Sequence, residues 1–251
     1  MAKTRWYQER SREAYYRQAK KEGYRARSAY KLLQVQEKFG LLKKGQAVAD
    51  LGCAPGGWSQ VLVEMLGPGG VVVGLDLQRV RPIPGVRFLQ GDITNPGTHE
   101  RLAALLAETG RAQLDAVVSD IAPDMSGNYE LDQFRSVHLA TMALEFATRH
   151  LRTGGNLLCK VFEGADFQPF REEVRKRFRS LAQYHPPASR KSSSEVYLVA
   201  KGFRGRPGEP VASSGSAEPA PQNPAAKAGE GGPDEARPAP KRFRSPAALA
   251  D

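Results

Sequence analysis

The residues Asp50-Leu51-Gly52-Cys53-Ala54-Pro55-Gly56-Gly57-Trp58-Ser59 have the composition of a ligand-binding loop. Gly52, Gly56 and Gly57 lack a Cβ, so the backbone there can turn tightly and approach a bound molecule closely. No Lys-Ser or Lys-Thr follows the last glycine, which excludes a Walker A loop, and the spacing Gly52-x-x-x-Gly56-Gly57 misses G-x-G-x-x-G. Asp50 would repel a pyrophosphate but suits a ligand with ammonium and sulfonium charges, such as S-adenosylmethionine. Two further acids close apolar runs. Asp76 ends Val71–Asp76, 24 residues past Gly52, near the spacing at which an acid takes the ribose hydroxyls of a nucleotide. Asp92 ends Val86–Asp92, where a carboxylate can accept from an adenine amino group. Lys160 lies inside the apolar run 156–162, where an amine is costly unless it is paired or its pKa falls. Asp120 sits where the apolar run 114–119 gives way to a loop containing Pro123. Lys31 falls near the start of a helix, where the dipole disfavours a cation; either it reaches solvent or another group holds it.

Those residues need a scaffold, and the apolar pattern supplies one. Ala47-Val48-Ala49 is suited to a buried parallel strand, and Gln60–Leu66 to a helix ending at Gly67. The glycine loop therefore lies on a strand-to-helix turn, where open α/β sheets bind their ligands. Further strands are predicted at 71–76, 86–92, 114–120, 156–162, 180–184 and 195–200, the last two pairing antiparallel. Helices are predicted over 27–39 with Ser28 as N-cap, over 101–107, over 132–151 closed by Thr153-Gly154-Gly155, and over 170–178. The fold class is α/β, with a sheet of seven strands.

The formal charge of +10 is unevenly placed. Residues 1–44 hold 13 Lys/Arg against 4 acids, whereas residues 45–203 hold 17 of each. A neutral domain with one basic end points to a polyanionic partner met at that end. In residues 5–27, cations alternate with Trp6, Tyr7, Tyr15, Tyr16 and Tyr24, a composition able to grip phosphates and stack unpaired bases. From about residue 204 the chain is rich in Pro, Ala, Gly and Glu with few large apolar side chains, so a disordered tail is expected. Cys53 and Cys159 form no C-x-x-C pair and read as small core residues in a reducing compartment; no metal is expected. No run is long and apolar enough to span a bilayer, and no h-region opens the chain, so a cytoplasmic protein is expected.

The motif Asp50-Leu51-Gly52-x-x-Pro55-Gly56-Gly57-Trp58-Ser59 resembles the first motif of the FtsJ/RlmE family of ribose 2′-O-methyltransferases. The resemblance continues through 27–32, Gly74-Leu75-Asp76, Gly91-Asp92-Ile93, Ser119-Asp120-x-Ala122-Pro123, Lys160-Val161-Phe162 and Ser194-Glu195-x-Tyr197, covering about residues 8–203. Cys53 departs slightly, since many relatives carry a small Ala there. The resemblance implies the class I S-adenosylmethionine-dependent methyltransferase (Rossmann-like) fold. Its seven-stranded sheet is mostly parallel, with an antiparallel last strand and helices on both faces. The order Lys31, Asp120, Lys160, Glu195 is similar to the family's K-D-K-E tetrad. By that likeness Lys160 accepts the proton, Asp120 orients it, and Lys31 and Glu195 position the ribose. Gly56, Trp58, Asp76, Asp92 and Asp120 are implied to line the cofactor site. The family implies S-adenosyl-L-methionine as cofactor and a 23S rRNA A-loop uridine in the assembled large ribosomal subunit as target, with a monomeric enzyme. Other RNAs (tRNA, mitochondrial rRNA, a cap) share this chemistry and stay open, as does a non-catalytic ribosome-assembly factor. A nicotinamide-dependent oxidoreductase is disfavoured by the glycine spacing. The organisation expected is a basic arm at 1–26, a methyltransferase domain at 27–203 and a tail at 204–251.

Overall fold

In a computed structural model, residues 14–189 and 194–206 are described. Residues 14–22 form helix α1, followed by α2 (Ala29–Phe39), β1 (Ala47–Leu51), α3 (Gly57–Leu66), β2 (Val71–Asp76) and β3 (Val86–Gln90). Then come α4 (Pro96–Glu108), β4 (Leu114–Ser119), α5 (Tyr129–His150), β5 (Leu151–Phe162), α6 (Phe167–Arg177), β6 (Phe178–Tyr184) and β7 (Glu195–Phe203). The seven strands form one sheet in the order β3-β2-β1-β4-β5-β7-β6. The β1–β2, β1–β4, β2–β3 and β4–β5 pairs are parallel, and β7 runs antiparallel to both β5 and β6. The expected α/β class and seven-stranded sheet are thus present.

Alternation along each strand divides the apolar residues between two faces. Ala47, Ala49 and Leu51 of β1 join the core under α4, α5 and α6, while Val48 joins the core under α2 and α3. The strand order reverses between β1 and β4, so the loops after those strands flank the crevice where such sheets take ligands. No helix among the described residues is long and apolar enough to cross a membrane.

Several element ends differ from the sequence reading, each for a local reason. Helix α4 begins at Pro96 rather than 101, because the Asn95 side chain accepts from Gly97 N and proline suits the first helical position. Helix α5 begins at Tyr129 rather than 132, because the Asn128 side chain accepts from Leu131 N. It ends at His150, and Thr153-Gly154-Gly155 does not close it. Those residues lie in β5 where the pairing with β4 slips, Leu114 opposing Leu151 but Ala116 opposing Asn156, so they form a bulge. Ser28 makes no side-chain cap; its carbonyl receives the Trp58 indole N–H at 2.7 Å. Helix α3 begins three residues early at Gly57, helix α6 spans 167–177, β3 stops at Gln90, and β5 and β7 extend beyond their predicted ends.

The N-terminal aromatics correct the base-stacking reading. Tyr15 and Ala19 of α1 are buried against Tyr30 and Ala188, and the Tyr15 hydroxyl accepts from Gln34 Nε2 at 3.0 Å. Tyr24 donates to Glu64 at 2.7 Å. An aromatic ring fills a gap between helix and sheet as readily as it covers a base, and composition cannot separate the two uses. Tyr16 stays exposed. Trp6, Tyr7 and the expected tail beyond 206 lie outside the described residues.

Candidate active site

The glycine loop is fastened to its neighbours by backbone. Gly52 N and Cys53 N both donate to Leu75 O, at 2.9 and 3.2 Å, and Ala54 N donates to Asp76 Oδ2 at 2.8 Å. Gly52 has φ +68, and a Cβ there would lie 2.5 Å from Ile121 Cγ1. A side chain at 52 would therefore push apart the loops after β1 and β4. Gly56 has φ +111, and a Cβ there would meet Ile83 Cδ1 at 2.6 Å. Gly57 opens α3, whose first N–H groups lack helical partners and face the loop.

Asp50 is 1 % exposed, and its Oδ2 receives the Ser59 hydroxyl at 2.7 Å. Burial pushes its carboxyl up to about 7; the Ser59 bond opposes that rise, and the Asp120 and Asp76 charges add to it. Asp76 accepts from Ala54 N and from Gln78 N, which fixes it at the mouth of the crevice. Asp92 lies beyond β3 in a turn, its Oδ1 taken by Thr94 N and Thr94 Oγ1, each at 2.8 Å. Those bonds hold its carboxyl below the usual range and leave Oδ2 for another donor. Trp58 is buried, its ring 6.0 Å from that of Tyr197. Its side chain braces α2 and β7, so what it can offer a ligand is its backbone N–H.

Residues 23–28 strap this loop from outside. The Arg25 guanidinium donates to Pro55 O at 3.2 Å, Arg81 O at 2.6 Å and Pro82 O at 2.7 Å. Gln60 answers from α3, accepting from Arg25 N at 2.8 Å and donating to Gly23 O at 2.9 Å. The sequence reading placed Arg25 only among the polyanion-binding cations.

Across the crevice the four charged residues of the sequence reading converge. Lys160 stands opposite Tyr197, and Phe162 opposite Glu195, in the β5–β7 ladder. Directly opposed residues share a face, and so do residues two apart on one strand, which puts Lys160, Tyr197 and Glu195 together. Helix α2 lays Lys31 onto the same face. Lys31 Nζ lies 2.6 Å from Glu195 Oε1 and 3.2 Å from the Tyr197 hydroxyl. Lys160 Nζ lies 2.9 Å from Asp120 Oδ1 and donates to Asp120 O at 2.5 Å. The Tyr197 hydroxyl donates to Asp120 Oδ1 at 2.6 Å and so links the two ion pairs. Ser189 also donates to Glu195 Oε1, at 2.6 Å.

Lys31 and Lys160 are both buried, at 7 % and 6 % exposed. Lys31 is thus held by Glu195 and Tyr197 and does not reach solvent. Burial alone would raise the Asp120 carboxyl, but Lys160, Lys31 and the Tyr197 bond outweigh it and hold it below the ordinary range. Burial, then Asp120 and Glu195, push the Tyr197 phenol well above its ordinary value, so it stays a donor. Tyr197 had no assigned role in the sequence reading, although its spacing of two from Glu195 already put both on one face. Cys53 and Cys159 are buried and free, as expected of core residues.

A crevice with glycine turns and carboxylates on one side and a linked amine cluster on the other is one element of a wider likeness. The family model described as FtsJ-like methyltransferase matches residues 24–203. The "Ribosomal RNA large subunit methyltransferase E" of Methanothrix thermoacetophila is 51% identical over 187 residues, covering 74% of this chain and 71% of that protein. Its namesake in Chromobacterium violaceum is 47% identical over 199 residues, covering 79% of this chain and 96% of that protein. A crystal structure described as that of a ribosomal RNA methyltransferase from Plasmodium falciparum superposes with a TM-score of 0.65 at 31% identity, covering 73% of this chain and all of that one. With the glycine loop, the sheet order and the clustered charges already in place, these matches show that the chain belongs to the FtsJ-like methyltransferase family.

Proposed function

We propose that this protein transfers the methyl group of S-adenosylmethionine to a ribose 2′-hydroxyl of large-subunit ribosomal RNA, the A-loop uridine of 23S rRNA being the target. The observation that carries the reading is the pair of buried ion pairs, Lys31–Glu195 and Lys160–Asp120, joined through Tyr197 at the switch point of the sheet. The donor set fits the cofactor. Asp50, Asp76 and Asp120 raise the negative potential of a crevice whose glycines leave room for a ligand, which suits a molecule carrying ammonium and sulfonium charge. Gly56 and the Trp58 N–H line it from α3, Asp76 accepts from ribose hydroxyls, and Asp92 Oδ2 accepts from the adenine amino group. When bound, S-adenosylmethionine supplies an electrophilic methyl carbon.

A ribose hydroxyl is a poor acid, so attack needs a base and close alignment. Lys160 Nζ is the acceptor for the 2′-hydroxyl proton. Asp120 holds the Lys160 amine through both its carboxylate and its carbonyl, and can reach the methionine end of the cofactor. Lys31, set by Glu195, positions the ribose. The enzyme acts as a cytoplasmic monomer on the assembled large subunit, and the basic residues of 1–26 other than Arg25 meet the RNA backbone.

The Lys160→Ala variant is expected to bind S-adenosylmethionine normally by calorimetry and to lose transfer of a tritiated methyl to large ribosomal subunits. Wild-type turnover in that variant removes the base role. Mapping 2′-O-methyl marks across total RNA from cells with and without the gene locates the target; loss of a mark on tRNA or a cap instead would move the substrate off the ribosome.

A further inference from the structure

Six large hydrophobic side chains are exposed among the described residues, and four of them fall between 125 and 134: Met125 (68 %), Tyr129 (62 %), Leu131 (38 %) and Phe134 (61 %). Scattered exposed apolar residues need no explanation, but four within ten residues of one segment mark a contact site. The segment begins five residues after Asp120 and is firmly held. Asp132 Oδ1 receives both Ser126 N and Ser126 Oγ at 2.8 Å, and Asn128 caps the helix behind it. Polar groups of the loop thus turn inward onto the helix while its apolar side chains stay outside. Gln133 Nε2 donates to Glu163 O at 2.6 Å, and Glu163 N donates to Ser194 O at 2.8 Å. The patch is therefore braced against the ends of the two strands that carry Lys160 and Glu195. Leu131, Phe134, Arg135 and His138 share one exposed helical stripe, so the surface joins apolar area to a cation.

We infer that Tyr129 and Phe134, both exposed near the start of α5, each offer a stacking face to unpaired nucleobases flanking the nucleotide whose ribose enters the amine cluster, with Arg135 meeting the adjoining phosphate. The inference rests on the ribose-methylation reading and names where its RNA lies. Continuity favours RNA over a protein partner: the segment follows Asp120 in the chain and is braced to the strand ends that carry Lys160 and Glu195, on the way of a strand delivering a ribose there. A ribose reaches buried amines from a single-stranded loop or from a nucleotide turned out of a helix, and either leaves neighbouring bases open to stacking. Exposed aromatic faces recover that stacking without reading sequence. The opposite wall, where Arg25 and its neighbours strap the cofactor loop, has its aromatics Tyr15 and Tyr24 packed inward.

Steady-state methyl transfer to large ribosomal subunits tests the stacking faces in Tyr129→Ala, Phe134→Ala, the double variant and the conservative Phe134→Trp. Each alanine is expected to raise KM for the subunits on the order of tenfold, leaving the affinity for S-adenosylmethionine unchanged. Phe134→Trp is expected to retain the wild-type KM. A single-stranded oligoribonucleotide carrying 2-aminopurine is expected to change fluorescence on binding the wild type and not the double variant. A wild-type KM together with an unaltered fluorescence change in the double variant would overturn the stacking role and assign the patch to another partner. Lys160→Ala, run alongside, keeps the two ideas apart: an inactive Lys160→Ala with normal Tyr129 and Phe134 variants removes only the stacking role, whereas an active Lys160→Ala removes the chemistry.

Discussion

On the β1–β2 side of the crevice a ligand would meet backbone and carboxylates: glycine turns, the opening N–H groups of α3, and Asp50, Asp76 and Asp92, all within 50–92. On the β4–β5–β7 side it would meet side chains brought from residues 31, 120, 160, 195 and 197. Lys31 and Glu195 alone are separated by 164 positions. The first side is local in the chain and is stiffened by Arg25 from outside. The second exists only when three strand ends and a helix are packed together, and its two buried cations persist because each is paired. Damage to the first side should therefore appear in cofactor affinity, and damage to the second in turnover and stability together.

Asp120→Ala should give the largest effect. It leaves the Lys160 amine buried without its carboxylate, a change costing about 3–5 kcal/mol, and methyl transfer should fall below detection. Thermal melting and a tritiated-methyl assay read both. A variant with wild-type stability would mean that the amine finds water or another partner, and the coupling of stability to turnover would fail.

Arg25→Ala should act on the other side alone. Removing the guanidinium frees three carbonyls on two loops, so KM for S-adenosylmethionine should rise about tenfold with kcat kept within a few-fold, taking about 1 kcal/mol per bond as the upper guide. Arg25→Lys should not rescue, because one amine cannot fork across two loops. A fall in kcat without a change in cofactor KM would place Arg25 with the RNA and dissolve the division between the sides.

The pH dependence sharpens the comparison further. The Asp50 carboxyl is raised to about 7, so the folded protein without ligand holds that proton more tightly than the unfolded chain does. Its contribution to stability is present at low pH and is lost as pH rises toward and through about 7. A cationic ligand favours the carboxylate, so S-adenosylmethionine binding should release protons below about pH 7 and tighten as pH rises. Calorimetry at pH 6 in two buffers of different ionisation enthalpy measures the release, and Asp50→Asn should abolish it. The Asp120 carboxyl is held low instead; its contribution is present above the ordinary carboxylate range and is lost as pH falls through its lowered value.

Tyr197→Phe should have the smallest effect. Asp120 keeps Lys160 and Lys31 keeps Glu195, so only the two bonds of the hydroxyl, from Lys31 and to Asp120, are removed, with a few-fold loss in kcat. A far larger loss would make the link between the two ion pairs more important than the pairs themselves.

The strands were legible because alternating or continuous apolar runs must be buried, and the glycine loop because φ above zero and close backbone approach restrict what can stand there. Helix starts were less so. Asn95-Pro96 and Asn128 are recognisable caps in retrospect, yet Thr153-Gly154-Gly155 resembles a helix stop and makes a bulge, because a glycine pair serves either use. The arm showed how little composition says about orientation: Tyr15 and Tyr24 pack inward while Tyr16 points out.

Residue types and spacing by themselves determined the α/β class, the glycine turn after β1 and which charged residues were out of place in apolar surroundings. They did so because local conformation and burial depend on neighbours along the chain. Tertiary structure decided that Glu195 holds Lys31, that Tyr197 joins the two pairs, and that Arg25 grips the glycine loop. Those contacts join positions far apart in sequence, and only the register of β5 on β7 and the docking of residues 23–39 over the sheet bring them within hydrogen-bond reach.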